Sequence, residues 1–164
     1  MSTFVTVGNA HQPFQRLLDA VAAVAPQLPQ PVIVQYGHGQ FPASGCDART
    51  FIPMDEFERL VMRSELLICH AGAGSILHAL RAGKVPVIMP RRAVLGEHVD
   101  DHQMENAEAL ARAGRAVVIH EASQLLAAVE QALAMQHARQ AAAREPELVR
   151  LVGETLRRYA QARQ

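Results

Sequence analysis

At 164 residues the chain is sized for a single domain that buries about two-thirds of its unfolded surface. Sixteen Lys and Arg offset sixteen Asp and Glu, and this zero formal net charge excludes the basic footprint of a nucleic-acid binder. Aromatic residues make up only 4% with no Trp, which excludes a base-stacking platform.

Phe4 to Val7 reads as a first strand. Phe14, Leu17, Leu18, Val21 and Val24 then recur at helical spacing, and Pro26, Pro29 and Pro31 mark the way out. Val32 to Tyr36 is a second strand, Gly37 to Asp47 a Gly/Pro/Ser-rich loop, and Thr50 to Ile52 a short third strand. Asp55 is a candidate N-cap for a helix burying Phe57, Leu60 and Val61. The apolar run Leu66-Leu67-Ile68 opens a fourth strand ending at His70, and an amphipathic segment runs from Ile76 to Leu80. A fifth strand ends at Met89. A helix from about Gln103 to Arg112 buries Met104, Ala107 and Leu110 and stops at Gly114. Ala116 to Ile119 is the sixth strand, and Ser123 caps a helix carrying Leu125, Leu126, Val129 and Leu133.

Strands alternating with helices predict an α/β fold with a doubly wound parallel sheet. Residues 1–136 are expected to form this Rossmann-like domain. Residues 137–164 form a helical tail whose stripe, Leu148, Leu151, Val152, Leu156 and Tyr159, packs on the domain or on a partner. The tail holds six Arg against three Glu, so its basic side also suits anionic lipid. Two cysteines make no disulfide framework: Cys69 reads as a core thiol and Cys46 as a free loop thiol, which suits a reducing cytosol. No signal sequence and no apolar run of about 18 residues is present, so the expected location is cytoplasmic.

The chemistry concentrates at His70-Ala71-Gly72-Ala73-Gly74-Ser75, between the fourth strand and its helix. Gly72 and Gly74 let the backbone approach a ligand, Ser75 can cap the helix, and the exposed N–H groups favour an anion such as a diphosphate. A strand–glycine–helix turn also arises for steric reasons alone. The third glycine of a dinucleotide fingerprint is missing, Arg91 and Arg92 stand where an acidic ribose ligand is expected, and no Gly-Lys-Ser/Thr of a phosphate loop follows. The second polar loop, Arg91 to Gln103 with Asn106 one turn on, leaves the neighbouring strand end and faces the same crevice. His98, Asp101 and His102 have spacings that admit a metal, yet a solvated face explains them as well.

Together these residues resemble the donor-binding half of GT-B glycosyltransferases, and most closely the family with the glycosyltransferase 28 C-terminal domain. The resemblance runs from Phe4-Val5-Thr6-Val7-Gly8, Gln12-Pro13-Phe14 and Arg16-Leu17 through the His70 turn and Gly83-Lys84-Val85-Pro86 to Gly96-Glu97-His98-Val99-Asp100-Asp101-His102-Gln103, about the first 120 residues. Within the family the chain is similar to the catalytic subunit of split UDP-sugar transferases. These include bacterial exopolysaccharide enzymes of the pss/eps type and the eukaryotic dolichol-pathway N-acetylglucosaminyltransferase.

The resemblance implies a six-stranded sheet of order 3-2-1-4-5-6 with its crevice between Gly8 and His70. It implies a UDP-sugar donor, metal-independent inverting transfer, no cofactor and a lipid-linked sugar acceptor. It also implies a membrane-associated acceptor-binding subunit that holds this chain at the inner membrane face. Gly72, Gly74 and Ser75 resemble the diphosphate turn with His70 at its entrance, and Gly8 the glycine that admits the sugar donor to the first loop. The backbone from Ile52 to Met54 corresponds to the uracil edge, and Glu97, Gln103 and Asn106 to the sugar and ribose side. No catalytic base is identified in this chain; the resemblance assigns it to the partner half. His78 departs from the Glu that related sequences carry against the ribose, and Asn9 from a Thr. His78 therefore leaves open a second reading, a nucleotide-binding or regulatory subunit without turnover.

Overall fold

The structure, a computed structural model, describes residues 2–42 and 45–161, with side chains through residue 143. Six strands, β1 (Thr3–Thr6), β2 (Val32–Gln35), β3 (Asp47–Arg49), β4 (Leu66–His70), β5 (Val87–Met89) and β6 (Val117–Val118), form one parallel sheet of order β3-β2-β1-β4-β5-β6. Helices α1 (Gln15–Val24), α2 (Met54–Arg63), α3 (Ala73–Arg81), α4 (His102–Arg112) and α5 (Leu125–Gln161) connect and flank it. The α/β fold and the strand order are those expected from the sequence.

Successive strand residues face opposite sides of a sheet, so apolar runs feed two layers. Val5, Ile68, Val87 and Met89 join Leu17, Leu18 and Val21 of α1 and Leu125 and Val129 of α5 in one core. Phe4, Leu67, Cys69 and Ile88 join Phe57 and Val61 of α2, Ile76 and Ala79 of α3 and Ala107 of α4 in the other. Phe4 meets Phe57 edge-on, with ring centroids 5.4 Å apart. Gln136 fastens α5 to the sheet: its Oε1 accepts the Val85 N–H and its Nε2 donates to the Glu65 carbonyl, both at 3.0 Å. Helix α5 crosses residue 137 without a break, and the stripe from Leu148 to Tyr159 lies outside the described side chains.

Several local expectations are corrected. The third strand is Asp47–Arg49, not Thr50–Ile52, because Ile33 pairs with Asp47 and Gln35 with Arg49. This edge is polar, with Arg49 bridging Asp47 and Glu56, which suits an edge strand exposed to solvent. Helix α2 starts at Met54 after Pro53 without a side-chain cap. Asp55 sits in its first turn, where its charge complements the dipole. Helix α3 starts at Ala73, so Ser75 lies inside the first turn and does not cap it. At the start of the last helical segment, Glu121 and Gln124 form a reciprocal capping box; Ser123 takes no part. In α4 the buried residues are Gln103 and Ala107, while Met104 and Leu110 are half-buried.

Candidate functional site

β1 and β4 are neighbours whose following helices lie on opposite faces of the sheet, α1 on one and α3 on the other, which opens a crevice above their carboxyl ends. Gly8 turns the chain away from β1 with φ +73°, a conformation that favours glycine. His70 ends β4, almost fully buried. Its imidazole fills the space that glycines leave on both sides: a Cβ on Gly8 would stand 2.5 Å from His70 Cε1, and one on Gly72 would overlap Nε2. Burial, and then the positive charge of Arg91, pulls the His70 pKa down to about 4, with the Thr6 carbonyl opposing. His70 is therefore neutral at physiological pH.

A cavity of about 210 Å³ occupies the crevice. Gly8, Asn9 and Gln35 line one side, Ile52, Met54 and Phe57 an apolar side, and His70, Gly74, Ser75 and His78 the side of α3. The first helical N–H hydrogen bond of α3 runs from Ile76 to the Gly72 carbonyl, and no side chain caps the helix. The first-turn N–H groups therefore stay free of intrahelical partners, and Gly74 and Ser75 bring this positive end of the helix dipole to the cavity. Nothing lies within 4 Å of a Cβ built on Gly74. The chemistry of this wall suits an anion, and the facing apolar side suits a flat or aliphatic group.

Gly8, Met54, His70, Gly74 and Ser75 thus share one cavity, with Gly72 behind it against the His70 ring. Glu97, Gln103 and Asn106 do not line it. Glu97 is buried, its carboxylate accepting Arg16 Nε and Nη2 at 2.9 and 2.8 Å and the Arg92 N–H at 2.9 Å. Gln103 is buried too, and its Oε1 accepts the backbone N–H groups of Ala71 and Arg91, both at 3.2 Å. Asn106 is exposed on α4 and lines a separate apolar groove with Ala73, Ile76, Leu77, Leu80 and Leu110. The expected loop of ligand contacts is, at Glu97 and Gln103, a brace.

Arg91, which the sequence places in the polar loop facing the crevice, does not line the cavity. It is fully buried, donating to the carbonyls of Val7 at 2.7 Å and of Gln12 and Glu97 at 2.8 Å, with its guanidinium 4.7 Å from the Phe14 ring centre. Gln35 was missed, although a Gln ending an apolar strand is a visible signal. Its Nε2 donates to Asn9 Oδ1 at 3.2 Å. In the polar loop it is Asp100 that lies between His98 and His102, while Asp101 accepts the Ala93 N–H. Among the described residues, no three His, Cys, Asp or Glu converge on a metal-sized site, and no helix is long and apolar enough to cross a membrane.

Comparison with known proteins bears on this geometry. A relative from Pseudomonas fluorescens, UDP-N-acetylglucosamine--N-acetylmuramyl-(pentapeptide) pyrophosphoryl-undecaprenol N-acetylglucosamine transferase, is 31% identical over 116 residues, 66% of this chain and 32% of the relative. The UDP-N-acetylglucosamine transferase subunit ALG13 of Cryptococcus neoformans var. neoformans is 44% identical over 66 residues, 39% of this chain and 31% of that protein. The chain thus spans about a third of the length of these curated relatives. Among solved structures, the glycotransferase of kitacinnamycin matches with a TM-score of 0.65 at 19% identity, over 83% of this chain and 36% of that one. The MurG of Acinetobacter baumannii matches with 0.55 at 21% identity, over 82% and 43%. These neighbours are GT-B glycosyltransferases and share the fold. The family model of the glycosyltransferase family 28 C-terminal domain matches residues 2–154, nearly the whole chain, and the chain belongs to that family.

Proposed function

We propose that this chain is the donor-binding catalytic subunit of an inverting glycosyltransferase. It takes a UDP-sugar and, with a membrane-associated acceptor-binding subunit, moves the sugar to a lipid-linked acceptor in exopolysaccharide synthesis. One observation carries the reading: the uncapped N-terminus of α3 faces a cavity at the β1/β4 divergence, beside a neutral, buried His70. The names of the relatives add support, since one acts on a pyrophosphoryl-undecaprenol substrate and another is called a subunit.

In this reading the diphosphate lies against the N–H groups of Ala73, Gly74 and Ser75, and the base lies toward Ile52, Met54 and Phe57. An acceptor hydroxyl attacks the anomeric carbon as the bond to the diphosphate oxygen breaks, and the configuration inverts. The negative charge that grows on UDP meets fixed N–H dipoles, which need no reorganisation and no metal. The hydroxyl proton passes to a base on the partner. A single domain supplies only one wall of the cleft, so alignment of donor and acceptor needs the second polypeptide, which also holds this chain at the cytoplasmic membrane face.

Reconstitution tests this. The chain with its partner, a UDP-sugar and a lipid-linked acceptor should transfer sugar in EDTA, and the folded chain alone should not. Robust turnover without a second polypeptide would overturn the split-enzyme reading, and loss in EDTA restored by magnesium or manganese would overturn metal independence. A second reading, a nucleotide-binding regulatory subunit, is favoured by His78, which lines the cavity with Nδ1 3.8 Å from Glu58. UDP binding by a complex that transfers no sugar from a full panel of nucleotide sugars would select it.

A further inference from the structure

Two guanidinia, Arg16 and Arg91, meet Glu97 behind the crevice, but only one of them bonds its carboxylate. Arg16 takes both oxygens of Glu97, through Nε and Nη2. Arg91 is left with neutral partners only, the carbonyls of Val7, Gln12 and Glu97 and the face of Phe14, and its buried Nε has no hydrogen-bond partner. Arg92, the other cation of this loop, is half-buried and lies 3.6 Å from Glu121. A buried charge without a directly bonded counter-ion is costly. Carbonyl dipoles offset part of that cost and leave a net positive centre.

Its position is specific. The Val7 carbonyl that Arg91 holds immediately precedes Gly8. The Arg91 N–H shares Gln103 Oε1 with the N–H of Ala71, which stands between His70 and Gly72. The guanidinium therefore holds the loop after β1, the Arg91 backbone is tied to the His70 turn through Gln103, and the Arg91 charge reaches His70, whose protonation it opposes. Burial lowers the Arg91 pKa to about 10, with Glu97 opposing, so the group stays charged at neutral pH.

We propose that Arg91 is the positioning residue and built-in cation of the anion site: the bound diphosphate completes the charge balance that Glu97 leaves unfinished. The inference rests on the donor-site reading above and adds to it the source of anion preference. Arg91 acts through the protein, with no contact to the ligand. A site of this design prefers nucleoside diphosphate over nucleoside by virtue of a charge one layer below its surface.

The test is the ratio of UDP affinity to uridine affinity, measured by calorimetry and by competition. Arg91→Met, similar in length but uncharged, should lower the ratio about 10- to 30-fold, the scale of a unit charge acting across several ångströms of partly buried protein. Arg91→Lys should keep most of the ratio while lowering thermal stability, because it keeps the charge and loses the fork. Glu97→Gln removes the carboxylate charge that Arg16 bonds and that offsets part of the Arg91 charge at a distance, and should raise the ratio. A folded Arg91→Met protein with an unchanged ratio would reduce Arg91 to a loop brace and overturn the inference. Should Arg91→Met fail to fold, Glu97→Gln decides: a rise supports the inference, and an unchanged or lower ratio overturns it. Wild-type protein that binds no UDP would overturn the donor-site reading and this inference with it; wild-type binding with a charge-insensitive ratio overturns the inference alone.

Discussion

The loop after β4 and the loop after β5 leave adjacent strands at the same edge of the sheet, and both are rich in residues able to bind a ligand. They do opposite work. The β4 loop presents small residues, and its value is the space left at Gly74 and the open N–H groups of α3. The β5 loop turns its polar groups inward: Arg91, Glu97 and the following Gln103 are buried and bonded to the backbone of Val7, Gln12, Arg92 and Ala71. Its outer surface carries exposed Val94, Leu95 and Val99. Polarity at a strand end therefore does not by itself identify a ligand contact. Burial and the identity of the hydrogen-bond partners separate the wall of a site from its brace.

Removing parts of the brace should give the largest losses of stability. Glu97→Ala strands the Arg16 guanidinium and the Arg92 N–H and should cost about 2–4 kcal/mol, read as a lower urea midpoint at unchanged slope. Gln103→Leu leaves the Ala71 and Arg91 N–H groups without their shared acceptor and should cost about 2–3 kcal/mol. A loss below about 0.5 kcal/mol in either variant, with donor affinity abolished, would return these residues to the ligand wall.

His70 links the two loops through pH. Its folded pKa, about 4, lies below the ordinary value of 6.5, so the unfolded chain binds more protons between those values. The His70 contribution is complete above pH 6.5 and is lost as pH falls toward 4, by up to about 3 kcal/mol. Replacing His70 with Gln should flatten this part of the stability profile. An unchanged profile would mean that the imidazole is not held neutral by its burial and by Arg91.

The smallest effects belong to the outer surface. Val94→Ser, Val99→Ser and Asn106→Ala should each change stability by less than about 0.5 kcal/mol, with UDP-sugar affinity unaltered. Weaker binding by Asn106→Ala would show that the α3/α4 groove and the crevice act as one site.

Most of the fold is legible in the sequence because β1, β4 and β5 carry buried apolar residues on both faces and each helix carries one apolar stripe. The third strand is not, since Asp47–Arg49 is a polar edge defined by its pairing with β2 rather than by hydrophobic alternation. The cavity is legible where its lining depends on local backbone, as at Gly8 and Gly74. Arg91 is hidden because its burial depends on the carbonyls of Val7 and Gln12, about 80 residues earlier. Nothing local distinguishes such an arginine from a solvated one. Gly72 shows the same limit: its missing Cβ makes room for the His70 ring, a neighbour that the motif does not reveal.

Gly74 offers the most direct test, because a Cβ there meets no protein atom within 4 Å and would point into open space at the start of α3. Calorimetric titration of UDP into the wild-type chain and into Gly74→Val, both in EDTA and with thermal midpoints recorded, isolates the cavity from the fold. One-to-one binding is expected for the wild type and none for a variant whose midpoint falls by only a few degrees. Equal affinity in the folded variant would contradict the assignment of the diphosphate to the N-terminus of α3.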